Sequence, residues 1–303
     1  MLSGYALDKW ARVNCNLCGS SQSRLLFVDR LSWNDEELQF RLVECTQCGL
    51  WYVNPRNLTA AGRFYCDGVS ADQLEQWCKE QGEWKFSVFD KYLSYADNYL
   101  RIRRIGERRL LDIGCGVGWF LNYAQKRGYQ VRGVESSTPE AVFAQRRFGV
   151  DVYTGVVETI PYPDGYFQVV TLNDVLEHLT DPVGTLKVVR SKLQPGGLVM
   201  LRSANGRFAL LKARVLSKLF PHKQYLLHSN EHLFQFTSQT MIKILDKAGF
   251  TTLKMDNGRP DYVPDFFRHT TRNSWYVFSL AVQMVNPAAY LCNSLDVFAV
   301  RKD

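Results

Sequence analysis

From residue 108 onward, short apolar runs alternate with amphipathic stretches. The apolar runs predict seven β-strands, at 109–113, 130–134, 151–154, 167–172, 197–203, 251–255 and 294–301. The stretches between them predict helices at 117–127, 138–147, 181–193 and 238–248, because their apolar residues recur at three- and four-residue spacing. Strands that alternate with helices form a mostly parallel sheet with helices on both faces. We therefore expect an α/β, doubly wound, seven-stranded domain over residues 106–303.

Three other stretches depart from this alternation. Residues 57–105 carry aromatic side chains on amphipathic segments and predict a helical linker or lid. Residues 205–236 and 257–292 are insertions after late strands, where open sheets usually carry substrate-covering elements. Within the first insertion, 208–220 predicts a basic amphipathic helix, either a lid or a helix on an anionic membrane surface. The apolar stretch 274–292 is interrupted by polar residues and predicts a packed or interfacial helix pair.

Composition and charge are those of a globular protein. The chain has 303 residues, of which 46% are hydrophobic and 22% charged, and its formal net charge is +7. This charge favours anionic partners such as phosphate-bearing metabolites, nucleic acid or an acidic membrane surface. Residues 1–10 lack the basic start and apolar core of a signal peptide. We expect a cytoplasmic location, with peripheral membrane contact through 208–220 as an option, whereas the oligomeric state is not predicted.

Four of the eight cysteines form two Cys-x-x-Cys-Gly motifs near the N-terminus. Cys15 and Cys18 are separated by 26 residues from Cys45 and Cys48. Two such tight turns present four thiolates, which is the ligand set of a tetrahedral zinc site. The segment between them predicts two strands, so we expect a zinc ribbon over residues 1–56. Because four thiolates leave no position open for water, the zinc is expected to be structural.

A glycine-rich turn follows the first strand of the α/β domain. The apolar run ends at Asp112 and then breaks into Gly114, Gly116 and Gly118. Glycines without a Cβ let a ligand approach the backbone, and the next helix offers unpaired N–H groups to it. Glu135 closes the second strand, where an acid can accept hydrogen bonds from ribose hydroxyls. The Gly-x-Gly-x-Gly spacing with an acid inside the motif fits a cationic or zwitterionic ligand better than a diphosphate.

These motifs resemble those of class I S-adenosylmethionine (SAM)-dependent methyltransferases. The resemblance implies a Rossmann-like fold, SAM as cofactor, and a glycine turn around its methionine end. The chain has Val156 and Gln168 where the family often has Asp, so we assign the adenine contacts to the backbone of Val157 or to Glu158. The implied cofactor-binding residues are Asp112, Gly114, Cys115, Gly116, Gly118, Glu135, Ser136, Val157, Glu158 and Asn173.

Catalytic candidates follow the fourth strand, where the methyl group should project. The Asp-x-x-Glu-His spacing of Asp174, Glu177 and His178 is similar to that of quinone-biosynthesis O-methyltransferases, in which a divalent ion is implied. Three interpretations stay open. His178 is a general base, the three residues hold a divalent ion that lowers the acceptor's pKa, or the role is structural, with Glu177 capping a loop. His232 is a second candidate for the base, with a buried structural histidine as its alternative.

The resemblance implies methyl transfer to a hydroxyl or carbon of a small molecule. A ribbon ahead of such a domain is similar to bacterial methyltransferases of sugar and cell-envelope pathways, so we expect a sugar, glycan or lipid-linked acceptor. A zinc-ribbon RNA methyltransferase is the alternative, since ribbon and basic charge suit RNA. Two observations argue against nucleic acid. Only Arg24, Arg30 and Arg41 supply basic charge between the two cysteine motifs, and the Asn173-Asp-Val-Leu stretch lacks the prolines typical of base-amine methylation.

Overall fold

The N-terminal part of the chain is a small antiparallel sheet built around one hairpin. The computed structural model describes residues 10–33, 36–57, 70–220, 227–260 and 265–303. Its first five strands are β1 (Trp10–Ala11), β2 (Ser23–Trp33), β3 (Glu36–Cys45), β4 (Trp51–Val53) and β5 (Arg56–Asn57). Strand β2 pairs with β3 from Ser23↔Cys45 to Trp33↔Glu36, β4 adds to β3, and β1 pairs with β5. The hairpin is longer than the strands predicted from the sequence.

A single long helix, α1 (Ala71–Ile102), connects this sheet to the rest of the chain. Its start is fixed by a capping box, in which the side chains of Ser70 and Gln73 each accept a hydrogen bond from the other's backbone N–H. One face of the helix is buried against the main sheet, and Phe89 and Tyr92 are its largest buried side chains. Within the predicted helical linker 57–105, the structure has one helix over 71–102, while residues 58–69 lie outside the described part of the chain.

The second part of the chain is a doubly wound domain with a seven-stranded sheet, which confirms the predicted fold class. In chain order, its elements are β6 (Arg109–Ile113), α2 (Trp119–Lys126), β7 (Gln130–Glu135), α3 (Thr138–Phe148), β8 (Asp151–Thr154), β9 (Phe167–Asn173), α4 (Pro182–Lys192), β10 (Leu193–Ala204), α5 (Gly206–Leu219), β11 (Phe234–Gln235), α6 (Ser238–Lys247), β12 (Phe250–Asn257), α7 (Phe266–Val285) and β13 (Ser294–Arg301). The strand order is β12-β13-β10-β9-β6-β7-β8, and only β13 runs antiparallel to its neighbours.

This topology brings many chain segments to one edge of the sheet. Strands β6, β7, β9 and β10 are parallel, and β12 has the same direction because both it and β10 run antiparallel to β13. The segments that follow these strands therefore share the carboxyl edge, which is where open α/β sheets bind ligands.

Gln168 lies at the opposite end of β9, away from this edge. Its side chain accepts a hydrogen bond from the Arg109 N–H at 2.8 Å and donates one to Gln194 at 3.0 Å.

The two insertions lead away from this edge and differ from each other. The first contains α5 and then β11, which leaves the main sheet and pairs with β4 of the N-terminal sheet (Phe234↔Tyr52, Gln235↔Trp51). The second contains α7, a single helix of 20 residues. The expected helix pair over 274–292 is therefore wrong, because the helix begins eight residues earlier and its polar residues Gln283 and Ser279 face inward, where they are hydrogen-bonded.

Candidate active site

The glycine turn between β6 and α2 is held in a backbone shape that only glycine adopts readily. Gly114, Gly116 and Gly118 have φ values of +67°, +53° and +79°, a left-handed region that is costly for residues with a Cβ. A Cβ on Gly114 would lie 2.5 Å from Cγ2 of Val175, and one on Gly118 would lie 2.6 Å from Cβ of Ala144. The turn thus packs closely against the segment after β9 and against α3.

A cavity of about 330 Å³ opens between this turn and the segments that follow the other strands. Seven of the ten predicted cofactor-binding residues line it, namely Asp112, Gly114, Cys115, Gly116, Glu135, Ser136 and Asn173. The remaining lining residues are Lys85, Phe89, Phe120, Glu140, Asp174, Val175, His178, Leu179, Asn230 and Glu231. The cavity therefore joins the predicted cofactor residues to one predicted catalytic residue.

Three predicted cofactor residues lie outside this lining. Gly118 caps the start of α2 and contacts α3, so it shapes the turn from behind. Val157 is buried in the main core, and the Glu158 carboxylate accepts a hydrogen bond from the Thr185 hydroxyl of α4 at 3.0 Å. The assignment of adenine contacts to Val157 or Glu158 stays a prediction.

The floor of the cavity is acidic. The carboxylate of Glu135 accepts hydrogen bonds from the backbone N–H groups of Gly116 and Ser137, both at 2.8 Å, which ties the end of β7 to the glycine turn. Asp112 accepts from the Thr171 hydroxyl at 2.5 Å. Glu140, on the first turn of α3, is the third acid of the floor, and all three side chains are buried.

Burial changes the protonation of two of these acids. Burial raises the pKa of Asp112 to about 7, a shift that the Thr171 hydrogen bond opposes and the neighbouring Glu135 increases. Burial, together with the charge of Glu135, also raises the pKa of Glu140 to about 7. A buried cluster of carboxylates without a cation is unfavourable, whereas a positively charged ligand favours their ionised forms. The cavity floor is thus complementary to a cation.

An unpartnered amide supports the same conclusion. Among the described residues, neither the oxygen nor the nitrogen of the Asn173 side chain has a hydrogen-bond partner, although both atoms are buried and the residue lines the cavity. Buried polar groups in folded proteins are almost always paired. A zwitterionic ligand with both an ammonium and a carboxylate would supply partners for the acids and for this amide. SAM has these groups in addition to its sulfonium.

Glu177 is held away from the cavity. It is 2% exposed, and its two carboxylate oxygens accept from the Ser203 hydroxyl and the Ala204 N–H at the end of β10, both at 3.0 Å. Burial raises the pKa of this carboxyl. These contacts fasten the short helical turn 176–178 to the sheet, so the geometry matches the structural interpretation, in which Glu177 caps a loop.

The two histidines that the sequence offers as candidates for the base lie against each other. The rings of His178 and His232 are 4.8 Å apart in an edge-to-face arrangement. Nδ1 of His178 lies 3.1 Å from the carbonyl oxygen of Glu231, so the tautomer that donates this bond leaves Nε2 free of a proton. Burial, with His178 and His228 nearby, lowers the pKa of His232 to about 3, so this ring is neutral at pH 7. The structure therefore brings together the two histidines that the sequence analysis selected separately.

The divalent-ion hypothesis requires a correction in its ligand set. The Asp174 carboxylate forms ion pairs with Lys85 at 2.9 Å and with Arg202 at 3.4 Å, so two cations already neutralise it. The residues whose ligand atoms lie within 4.8 Å of one another are instead Glu177, His178 and His232. The spacing in the sequence therefore identified two of these three residues, because His232 comes from a distant insertion.

The four motif cysteines form one cluster in the N-terminal sheet. Their Sγ atoms all lie within 4.8 Å of one another, with 3.4 Å between Cys15 and Cys48 and 3.5 Å between Cys18 and Cys45. A tetrahedral zinc with bonds of about 2.3 Å places its sulfurs about 3.8 Å apart. The donor set and its geometry therefore fit Zn²⁺.

The fold and the site can now be set against known proteins. A family model described as a methyltransferase domain matches residues 88–255, more than half of the chain. The chain belongs to this methyltransferase family. Its glycine turn, acidic floor and strand order are those of the class I SAM-dependent enzymes, as the sequence motifs predicted.

Individual relatives share part of this methyltransferase. The ubiquinone biosynthesis O-methyltransferase of Ruegeria pomeroyi is 29% identical over 155 residues, which are 47% of this chain and 62% of the relative. That of Pseudomonas aeruginosa (strain LESB58) is 33% identical over 144 residues, 41% of this chain and 61% of the relative. The methyltransferase thus spans about three fifths of the length of these relatives.

Two solved structures have a similar fold. One is a SAM-dependent methyltransferase from Mesorhizobium loti (TM-score 0.46, 20% identity, 65% of this chain and 92% of that chain). The other is a SAM-dependent methyltransferase from Aquifex aeolicus (TM-score 0.48, 13% identity, 77% of this chain and 100% of that chain).

Sequence reasoning missed one side of the cavity lining. Lys85 and Phe89 reach the cavity from α1, and Asn230 and Glu231 reach it from the first insertion. The amphipathic pattern of α1 indicates a buried face but does not show that this face meets a cavity. The Asn230-Glu231-His232 stretch was recognised only for its histidine.

The N-terminal sheet holds the segment 227–236, which contributes Asn230 and Glu231 to the cavity lining. Besides the pairing of β11 with β4, the Val53 N–H donates to the carbonyl of Leu233 at 2.9 Å. The buried carboxylate of Asp29, on β2, accepts from the N–H groups of Leu227 and Ser229 at 3.1 and 3.2 Å. The segment that carries His232 is therefore fixed at both ends by the ribbon.

Proposed function

We propose that this protein transfers the methyl group of SAM to a hydroxyl oxygen of a small-molecule acceptor. The supporting observation is the cavity, whose acidic floor and unpartnered Asn173 suit SAM while its opposite wall presents His178. The names of the related ubiquinone biosynthesis enzymes favour oxygen over carbon as the methylated atom. RNA is the competing acceptor class, because a zinc ribbon and a basic net charge would suit RNA binding.

The chemistry requires positioning and one proton transfer. SAM supplies a methyl group on a sulfonium, so the protein has to align the acceptor oxygen and remove its proton. Asp112, Glu135 and Asn173 would hold the cofactor from the floor. Nε2 of His178 would accept the hydroxyl proton, since its Nδ1 is oriented by the Glu231 carbonyl. Lys85 and Phe89 would form the side of the cavity that contacts the acceptor.

A structural zinc ion belongs to the same proposal. Cys15, Cys18, Cys45 and Cys48 would hold Zn²⁺ with no position left for water, so the ion has no part in the chemistry. A divalent ion bound by Glu177, His178 and His232 is the competing role for the histidines. Metal analysis and activity assays separate the two roles. If the protein holds one zinc per chain and its methyl transfer depends neither on added Mg²⁺ nor on EDTA treatment, the result agrees with His178 as the base.

The acceptor class is proposed to be a sugar, glycan or lipid-linked intermediate of the cell envelope, with peripheral membrane contact through 208–220. The face of α5 formed by Leu210, Ala213 and Leu216 packs on the ribbon. Its other face exposes Leu211, Val215 and Leu219, which are 60%, 47% and 66% exposed. An exposed apolar face on a basic helix is consistent with an acceptor that resides in a membrane.

The test measures SAM binding first and methyl transfer second. Titration calorimetry should give a SAM complex, and tritium from methyl-labelled SAM should enter one of three pools, namely phenols, nucleotide sugars or extracted lipids. Total RNA is tested alongside them as the competing acceptor. His178→Ala should lower turnover by about 100-fold or more while the Kd of SAM stays within about twofold of wild type. His269→Ala, a histidine outside the cavity, is the matched control. Labelled RNA alone, or full turnover of His178→Ala, would overturn the proposal.

A further inference from the structure

Helix α7 makes polar contacts on the side that faces the protein and exposes large apolar side chains on its outward side. The face toward the protein is held by polar contacts, in which the Ser279 hydroxyl meets Cys292 at 3.0 Å and the side chain of Gln283 accepts from Asn257 at 2.9 Å. Trp275 donates through its indole N–H to the Leu291 carbonyl at 2.7 Å. A helix on the surface of a globular domain normally turns its apolar stripe inward.

The outward face of α7 is apolar over its last three turns. Val277, Phe278, Met284 and Val285 are 64%, 52%, 86% and 89% exposed, and with Ala281 they recur at three- and four-residue spacing on one side of the helix. Exposure of single apolar side chains is common, but a contiguous group of this kind marks an interaction site.

Helix α5 lies next to α7 and extends this surface. Phe208 of α5 and Trp275 of α7 are in ring contact, with centroids 6.3 Å apart. Among the described residues, 16 large apolar side chains are exposed, and ten belong to α7, α5 or the residue after α5. We call these ten residues the α5–α7 face: Leu211, Val215, Leu219, Phe220, Phe267, Trp275, Val277, Phe278, Met284 and Val285.

The charged residues within the two helices of the α5–α7 face are all basic, while the acidic Asp265 caps the start of α7. Neither helix contains an Asp or Glu, whereas together they contain six basic residues, listed here: Arg207, Lys212, Arg214, Lys218, Arg268 and Arg272. Apolar side chains bordered by basic ones are complementary to an anionic lipid surface. In a symmetric dimer through this face, the same basic residues would meet one another, and like charges in contact oppose association.

The α5–α7 face also lies at the carboxyl edge of the sheet. Helix α5 follows β10, and α7 connects the end of β12 to the start of β13, so both helices emerge at the carboxyl edge that carries the cavity. No helix in the described part of the chain is both long enough and apolar enough to cross a membrane. An amphipathic helix of this kind lies in the plane of the interface.

We infer that the α5–α7 face docks this protein on an anionic lipid bilayer, with α7 inserting its outer face between the headgroups. The inference extends the lipid contact of the proposed function from α5 to α7. It needs no methyl transfer, because docking is measured without an acceptor. The choice of a lipid surface as the partner follows from the absence of acidic residues within both helices and from the exposed apolar side chains of α7.

The test is flotation of the full chain with vesicles of phosphatidylcholine alone or with 30% phosphatidylglycerol (about three in ten lipids carrying charge). Wild type should float with the anionic vesicles and separate from them as salt is raised. Phe278→Glu/Met284→Glu should lower the partition coefficient by about tenfold or more, since it places two charges in the inserted face. Ile242→Glu, on an exposed apolar residue of α6, should bind as wild type does.

SAM binding by the same variants separates folding from docking. If the double variant binds SAM normally and loses the vesicles, docking is supported independently of methyl transfer. Wild type that stays in the pellet with both vesicle types, or a double variant that floats like wild type, overturns the inference. A wild-type dimer that becomes a monomer in the double variant, without vesicle binding, assigns the face to a second copy of the chain instead.

Discussion

The two walls of the cavity are built in different ways. Most of the cofactor wall comes from 29 consecutive residues, Asp112 to Glu140, in which a turn, a strand end and a helix start are neighbours in the chain. Asn173 adds to this wall from the end of β9. The acceptor wall combines α1, the segment after β9 and the segment 227–236, which the ribbon holds from a distance of about 200 residues in sequence. One wall is mostly a local motif, and the other is assembled from segments that are distant in the sequence.

Because of this difference, we expect substitutions to affect the two walls in different ways. Substitutions in the cofactor wall act through backbone conformation and buried charge at the point of change. Loss of the ribbon acts on the acceptor wall, because β11 and the Asp29 hydrogen bonds are its attachment. These hydrogen bonds involve no residue of the cofactor wall. The two walls should therefore be separable by experiment.

The largest effect is expected from loss of the cysteine cluster. Cys45→Ser removes one of four ligands and should cost the ribbon several kcal/mol, because a metal-bound fold depends on the binding free energy of its ion. Amide exchange of Leu227 and Ser229 should accelerate, since Asp29 no longer holds them. Hydrogen exchange with mass spectrometry measures this, while calorimetry should show a much smaller change in SAM affinity.

Cys78→Ser is the matched control, as Cys78 is a buried cysteine outside the cluster. It should leave exchange at Leu227 and Ser229 unchanged. If Cys45→Ser abolished SAM binding as completely as it released these amides, the two walls would be one cooperative unit and the comparison would fail.

The next largest effect is expected in the cofactor wall, from Gly114→Ala. The new Cβ would stand 2.5 Å from Cγ2 of Val175 at a backbone φ of +67°, so we expect SAM affinity to fall by about 100-fold. Gly128→Ala has a similar φ of +86° but nothing within 4 Å of its Cβ. It should cost about 1 kcal/mol of stability and leave SAM affinity unchanged.

A second substitution shows whether crowding is the cause. If contact with Val175 accounts for most of the loss, Gly114→Ala/Val175→Ala should recover a large part of the affinity in calorimetry. No recovery would assign the loss to backbone strain alone, and normal affinity of Gly114→Ala would contradict the role of the turn.

The contrast between the walls also explains which parts of the site were predictable. The seven strands and Glu135 follow from apolar periodicity and from a motif of adjacent residues, so sequence alone places them. Lys85 could not be predicted, because its place depends on how α1 crosses the sheet. Asp174 has the spacing of a metal ligand, yet Arg202 and Lys85 neutralise it, and neither cation is near it in the sequence.

The smallest effect expected is a pH dependence of cofactor binding in the acidic floor. Asp112 and Glu140 have pKa values raised to about 7, mainly by burial. A cationic ligand binds the ionised carboxylates more strongly, so SAM affinity should fall by about tenfold between pH 8 and pH 6 for each group that must lose its proton. Without SAM the sign is opposite: a raised acid pKa stabilises the fold at low pH, and this contribution is lost as pH rises through 7.

Two comparisons assign this pH dependence to the floor. Glu140→Gln should make the profile measured by calorimetry shallower, because an amide does not titrate and only Asp112 remains. S-adenosylhomocysteine, which lacks the sulfonium charge, should show a weaker dependence than SAM. Equal affinity at pH 6 and pH 8 would mean that SAM binding does not change the protonation of these acids in this range, and the predicted role of their titration in SAM binding would be wrong.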